Sequence, residues 1–130
     1  MSYLKSDLSL YRINRAKETL VEATLMADHE KWNAAINRLY YASYYAVLAL
    51  LINFDLKPTT HKGVKVVLSA NFIATEKLPL SLGKIYGQLF ALRQGGDYDD
   101  FVIYKKEEIL PYFAEVEWLI KQIENYIESH

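Results

Sequence analysis

Apolar residues recur at every third or fourth position along most of the chain, the spacing that places them on one face of an α-helix. The first such segment predicts a helix from about Ser9 to Asp28, with Ser9 as its N-cap. No segment alternates between apolar and polar residues over a useful length, so no strand is predicted. The apolar stripe of this first helix contains Ile13, Ala16, Leu20, Ala23 and Ala27.

The second predicted helix, from about Glu30 to Asn53, contains an apolar run from Leu39 to Ile52 that only Ser43 interrupts. Because this helix is apolar on nearly all sides after Arg38, we expect it at the centre of a bundle. The run of 14 residues is shorter than the roughly 20 that span a bilayer. The N-terminus also lacks a basic segment followed by an apolar one, so we expect no signal peptide, no membrane association and a cytoplasmic protein.

The segment from Phe54 to Thr60 is predicted to be a loop, because Pro58 disfavours a helical conformation for the residue before it. A third helix is predicted from His61 to about Thr75. Either Thr59 or Thr60 is suited to cap its N-terminus, since a threonine hydroxyl can accept a hydrogen bond from a backbone N–H of the first turn.

The fourth predicted helix begins near Pro79, because proline is tolerated in a first turn. Gly95 and Gly96 are predicted to end this helix, since glycine readily adopts the left-handed conformation of a C-terminus. The last helix is predicted from about Lys106 to Ser129, and Pro111 is compatible with it only within the first turn. Five helices with short connections predict an antiparallel all-α bundle.

The composition fits one globular domain that covers residues 1–130, with 52% hydrophobic and 24% charged residues. The absence of cysteine excludes disulfides, thiolate nucleophiles and cysteine-bound zinc. The three histidines lie far apart in the sequence, and none has a glutamate three residues before it. We therefore expect no metal site and no cofactor.

Charge is unevenly distributed along the chain. The net charge of -1 argues against a protein that coats nucleic acid with its whole surface. Residues 57–93, however, contain six basic residues and one acid, whereas residues 94–100 contain three acids and no base. This asymmetry predicts that an anion-binding surface, if present, lies on the third and fourth helices.

Tyrosine is abundant, with eleven residues in a chain of 130. Tyr40, Tyr41, Tyr44 and Tyr45 form two pairs at i,i+4 spacing on adjacent faces of the second helix. One interpretation is core packing, with the hydroxyls at the edge of the bundle. The other is a surface on which nucleotide bases stack.

Two arginines are candidates for anion binding. Arg38 opens the apolar run, where it either pairs with a carboxylate on a neighbouring helix or faces an anionic ligand. Arg93 belongs to the segment L-R-Q-G-G-D-Y. Its guanidinium is suited to bidentate phosphate contact, to which the Tyr98 hydroxyl can add a hydrogen bond. Alternatively, Arg93 pairs with Asp97 and fixes the turn.

Three motifs together resemble the HEPN family of small helical-bundle domains: N-R-L-Y-Y-A-S-Y-Y-A at residues 37–46, H-K-G-V at 61–64 and R-x-x-x-D-Y at 93–98. The resemblance covers most of the chain. It implies a bundle that often forms a homodimer and a frequent operon pairing with a minimal nucleotidyltransferase in toxin–antitoxin modules.

Many HEPN proteins are metal-independent ribonucleases with a histidine four to six residues after an arginine. Here Arg93 matches that arginine, but Tyr98 stands after four residues, and no histidine follows before His130. Tyrosine, with an ordinary pKa of about 10, is a poor general acid or base at neutral pH beside imidazole. His61 is another source of an imidazole. The ligand-binding candidates are thus Arg93, Asp97, Tyr98, His61, Lys62, Arg38 and Tyr41.

Three functions follow from these observations. The first is a dimeric module that binds nucleotide or RNA without cleaving it, as the partner of a nucleotidyltransferase. The second is an RNA endonuclease that uses Arg93 together with Tyr98, Asp97 or His61. The third is a helical scaffold without a ligand.

Overall fold

The structure, a computed structural model, describes residues 4–130. Within this range the chain forms a bundle of α-helices without a strand, which confirms the predicted all-α class. The helices are α1 (Lys5–Asp28), α2 (Trp32–Asn53), α3 (His61–Leu68), α4 (Leu80–Tyr98), α5 (Lys106–Ile109) and α6 (Tyr112–Ser129).

Helix α2 forms the centre of the bundle, as its apolar pattern predicted. It packs against α1 along much of its length and against α4 and α6 on its other sides. By length and composition alone α2 would qualify to cross a membrane, but 61% of its most apolar window is buried inside the bundle. Its fully buried positions include Ile36, Leu39, Tyr40, Val47, Leu50 and Leu51.

Helix α1 begins at Lys5, so the prediction that Ser9 caps it was wrong. Ser9 instead lies in the second turn and is buried against α2, where its hydroxyl donates a hydrogen bond of 3.0 Å to the carbonyl of Ala49. A small side chain that can satisfy its own hydroxyl fits this close helix contact. Residues 5–8 extend the helix without an apolar stripe of their own, so periodicity did not mark them.

Helix α3 begins as predicted, with the Thr60 hydroxyl accepting a hydrogen bond of 2.9 Å from the backbone N–H of Gly63. It does not continue unchanged to Thr75. After Leu68 the chain widens into a π-helical turn, Ser69–Ile73, in which the N–H of Ala74 donates to the carbonyl of Ser69 at 2.8 Å.

Gly95 and Gly96 do not end α4, which continues to Tyr98. Neither glycine has a positive φ, so both keep ordinary helical geometry. Their small size admits the side chain of Tyr104, whose hydroxyl donates a hydrogen bond of 2.8 Å to the carbonyl of Leu92. Consequently Arg93 lies within α4 rather than at its end.

The predicted last helix is interrupted at Pro111. This residue directly precedes α6 and follows the single turn of α5, so the helix is not continuous from Lys106 to Ser129. Proline has no N–H to donate to the preceding turn, which explains the break. The two parts of this segment nevertheless bury apolar residues at helical spacing, namely Ile109, Val116 and Ile123.

Candidate functional site

Four tyrosines of α2 and the first residue of α3 form one aromatic cluster, which comprises Tyr40, Tyr41, Tyr44, Tyr45 and His61. Residues four apart on a helix share a face, and the start of α3 approaches that face. The imidazole of His61 stacks on Tyr44, with ring centroids 4.4 Å apart and an interplanar angle of 12°. Tyr41 meets His61 edge-on at 5.7 Å. The cluster thus combines core packing with partly exposed aromatic faces.

Arg93 lies against this aromatic cluster and is only 4% exposed. Its guanidinium carbon is 4.6 Å from the ring centroid of Tyr40 and 5.8 Å from that of Tyr41. Its Nη1 is 3.4 Å from the hydroxyl of Tyr98 and 3.7 Å from Oδ2 of Asp97. Asp97 accepts a shorter hydrogen bond, of 2.9 Å, from the amide of Asn37. The predicted pair of Arg93 and Asp97 therefore exists, but it is loose.

The charge of Arg93 is retained despite its burial. Burial alone would lower the pKa of Arg93, but the neighbouring tyrosines, Tyr40 first among them, and Asp97 outweigh it and raise the pKa. The Nε atom of Arg93 is buried and has no hydrogen-bond partner among the described residues. An unsatisfied donor on a buried cation is costly, because burial removes the water that would otherwise accept its hydrogen bond.

His61 is held by a hydrogen bond of 2.8 Å between its Nδ1 and the hydroxyl of Tyr40. Burial and the nearby charge of Arg93 lower the pKa of His61, so its imidazole is neutral at neutral pH. Burial raises the pKa of Tyr40, which keeps that hydroxyl protonated. The α3 histidine and the α4 arginine, 32 positions apart in the sequence, thus both contact Tyr40.

Arg38 adopts the structural pairing that the sequence left open. Its Nη1 donates to Oε1 of Glu22 on α1 at 3.2 Å, and its Nε and Nη2 donate to Oδ1 of Asn37 at 3.0 and 2.8 Å. Its guanidinium carbon also lies 5.2 Å from the ring centroid of Tyr41. Tyr41 therefore lies close to the guanidinium groups of both Arg38 and Arg93.

The remaining candidates lie at the periphery. Tyr98 is 76% exposed and contacts Arg93 through its hydroxyl and through its ring, whose centroid is 5.8 Å from the guanidinium carbon. Lys62 follows His61 on α3 and is exposed, and it makes no ion pair within residues 4–130. Across the same residues no group of three or more histidines and acids is arranged to hold a metal ion.

Sequence reasoning missed two arginines of α1 that border the aromatic cluster. The guanidinium carbon of Arg15 lies 5.2 Å from the ring centroid of Tyr45. The positive charge of Arg12 acts on the hydroxyl of Tyr44, where it opposes the effect of burial, which raises the pKa of Tyr44. The sequence signal for them was the i,i+3 spacing of Arg12 and Arg15, which places both on one side of the apolar stripe of α1. The arginines around the cluster thus come from α1, α2 and α4.

A small all-α bundle whose central helix carries tyrosines against a buried arginine defines the class of this protein. The family model for the HEPN domain matches residues 9–127. The chain therefore belongs to the HEPN family, as the three motifs indicated.

Related proteins come from bacteria and archaea. The UPF0332 protein of Thermotoga maritima is 35% identical over 125 residues, which cover 96% of this chain and 95% of that protein. A Methanocaldococcus jannaschii protein named a "putative toxin" is 32% identical over 96 residues, which cover 74% of this chain and 65% of that protein. A second protein from that organism with the same kind of name is 29% identical over 86 residues, 66% of this chain and 64% of its own length.

Proposed function

We propose that this protein is a nucleotide- or RNA-binding HEPN module that acts in a toxin–antitoxin-type system. The observation that carries the proposal is Arg93, a buried charged group that stacks on Tyr40 and keeps an unpartnered Nε. A cation in this state favours a phosphate, which supplies both negative charge and several acceptor oxygens.

The surroundings of Arg93 favour a nucleotide over a simple anion. Tyr41 and Tyr98 are partly or largely exposed beside it, and aromatic rings bind nucleotide bases by stacking. The contact with Asp97, at 3.7 Å, is longer than a hydrogen bond, so Asp97 does not occupy the Nη1 donor of the guanidinium tightly. Asp97 itself keeps its hydrogen bond from Asn37 when that contact opens.

The biological setting is part of the same proposal. The relatives named as toxins support a toxin-type role, and the family resemblance adds a homodimer and a minimal nucleotidyltransferase partner. A cytoplasmic location is the expectation from the sequence. Sedimentation across micromolar concentrations measures the dimer. Co-purification with the product of a neighbouring nucleotidyltransferase gene measures the partnership, and a strictly monomeric protein that binds no such partner contradicts this part.

The binding proposal is tested by fluorescence anisotropy with a labelled single-stranded RNA at low salt. Arg93→Lys keeps the charge but loses the forked geometry, so we expect affinity to fall about 10-fold or more, as for one charged hydrogen bond. The logarithm of the binding constant should also fall linearly with the logarithm of the salt concentration. Lys84→Ala removes an exposed charge from the same helix and is the matched control. If the wild-type protein binds neither RNA nor nucleotide, the binding proposal is contradicted, and the helical scaffold without a ligand is the function that remains.

A metal-independent RNA endonuclease is the second candidate, and the position of His61 favours it. A neutral imidazole anchored through Tyr40 beside Arg93 joins a general base to a phosphate-binding cation. The test incubates RNA with the protein in the presence of a chelator. Cleavage that His61→Gln abolishes while binding persists supports the enzyme, and intact RNA with the wild-type protein excludes it.

A further inference from the structure

A groove of about 530 Å³ lies beside the aromatic cluster, between α1, the C-terminal half of α2 and the loop that precedes α3. Its floor is apolar, and no acidic side chain lines it. The lining residues are Lys5, Leu8, Arg12, Tyr44, Leu48, Ile52, Leu56, Lys57 and Pro58.

The three cations of the groove differ in their partners. Lys5 is neutralised by Asp55, with an Nζ–Oδ2 distance of 2.9 Å. Arg12 and Lys57 make no ion pair within the described part of the chain. The Nε of Arg12 is moreover buried without a hydrogen-bond partner. Arg12 thus repeats, in this groove, the unsatisfied donor that marks Arg93.

Tyr44 connects the groove to the aromatic cluster. Its ring lines the groove and also stacks on His61, a member of the aromatic cluster against which Arg93 lies. Tyr40, over which Arg93 lies, and Tyr44 are one helical turn apart, and four residues of α-helix advance about 6 Å. Tyr44 therefore borders both the groove that contains Arg12 and the aromatic cluster against which Arg93 lies.

We propose that this groove is a second nucleotide subsite, so that the protein binds a single-stranded RNA segment rather than an isolated nucleotide. The inference rests on the proposed function. Arg12 and Lys57 contact a phosphate there, while Tyr44 and the apolar floor contact the adjoining base. Only an unpaired strand presents its base faces to such a groove, because the bases of a duplex are already stacked and paired.

The test compares labelled oligouridylates of one, two and four nucleotides by anisotropy at fixed low salt. For the wild-type protein we expect affinity to rise at least about 10-fold with length, as one charged hydrogen bond and a stacked base are added. Arg12→Gln should remove most of this gain, measured as the ratio of tetranucleotide to mononucleotide affinity. Lys57→Ala, at an exposed position whose lysine has no ion-pair partner among the described residues, should reduce the same ratio. It is the second variant, used in place of Arg12→Gln if that protein does not fold. Lys121→Ala, an exposed lysine of α6, is the control and should leave the ratio unchanged.

The outcomes separate the two proposals. Binding that Arg93→Lys weakens but that does not increase with length overturns the groove and leaves the Arg93 site standing. A blunt duplex that binds as tightly as the single strand also overturns it. The absence of any RNA binding by the wild-type protein removes the proposed function and the groove together.

Discussion

Arg93 of α4 lies over the ring of Tyr40 of α2, with the guanidinium carbon 4.6 Å from the ring centroid. A desolvated cation–π contact of this kind contributes about 2 kcal/mol or more. Both side chains are buried, so the contact belongs to the interface between α2 and α4. The same arginine thus stabilises the fold and, in the proposed function, presents its spare donors to a ligand.

Arg93→Ala should lower the free energy of unfolding by about 1–3 kcal/mol, because it removes the cation–π contact and leaves a gap beside Tyr40. Urea denaturation followed by far-UV circular dichroism measures the change. Lys84→Ala, at an exposed position of the same helix, should change it by no more than about 0.5 kcal/mol. Equal effects of the two substitutions would show that Arg93 adds nothing to stability.

The stability of the protein should decrease as the pH falls below the ordinary histidine value of 6.5, because the pKa of His61 is lower in the folded state. Below pH 6.5 the unfolded chain protonates this histidine more readily than the folded protein does. Wherever the unfolded state binds more protons, the free energy of unfolding decreases as the pH is lowered. The loss begins as unfolded histidine titrates and ends at the folded pKa of His61. The groups that face the imidazole are Tyr40, Tyr41, Tyr44 and Arg93.

Urea denaturation at pH 7.5 and at lower pH measures this dependence. His61→Gln should reduce the slope between pH 7 and 5. The interval from pH 7 to 5 contains the ordinary histidine pKa of about 6.5. An identical slope in wild type and His61→Gln would mean that the imidazole is not desolvated in the folded protein.

The bundle and its central helix could be predicted from the sequence because long apolar periods determine which face of a helix is buried. Helix ends were less predictable, since they depend on contacts from distant residues. Gly95 and Gly96 resemble a helix stop, but Tyr104 packs against them and the helix continues. The π-helical turn after Leu68 likewise has no local signal in the sequence.

The candidate site was accessible to sequence reasoning only in part. Arg93 and Tyr41 follow from motif and spacing, and the structure places both at the aromatic cluster. Arg12 was missed because its partner surface is formed by α2 and by the loop before α3. Such a groove exists only after the helices pack, so no local pattern records it.

Thr60→Ala should destabilise the protein by about 0.5–2 kcal/mol, because it removes the N-cap of α3. The Thr60 hydroxyl accepts the hydrogen bond from Gly63, and His61 follows the cap directly, so the substitution should also loosen the imidazole. The NMR signals of the His61 ring report that effect, and thermal unfolding reports the stability. Thr59→Ala, one position earlier, removes an exposed threonine that is not the cap, and we expect it to be nearly neutral.

Two glycines of α4 should respond to alanine with opposite signs. A Cβ at Gly87 would meet only the Cε of Lys65, at 3.8 Å, so Gly87→Ala should stabilise the helix by about 0.5–1 kcal/mol. A Cβ at Gly95 would lie 2.6 Å from the hydroxyl oxygen of Tyr104. That hydroxyl is held by its hydrogen bond to Leu92, so Gly95→Ala should destabilise by about 1–3 kcal/mol despite its better helix propensity.

The origin of the Gly95 effect is measured by a double-mutant cycle with Tyr104→Phe, using urea denaturation for all four proteins. Phenylalanine lacks the oxygen that the new Cβ would meet, and the next atom of the ring, Cζ, lies at an ordinary 3.8 Å. In the Tyr104→Phe background Gly95→Ala should therefore lose most of its cost and approach the behaviour of Gly87→Ala. If the cost of Gly95→Ala is the same in both backgrounds, the close approach of Tyr104 does not explain why glycine stands at position 95.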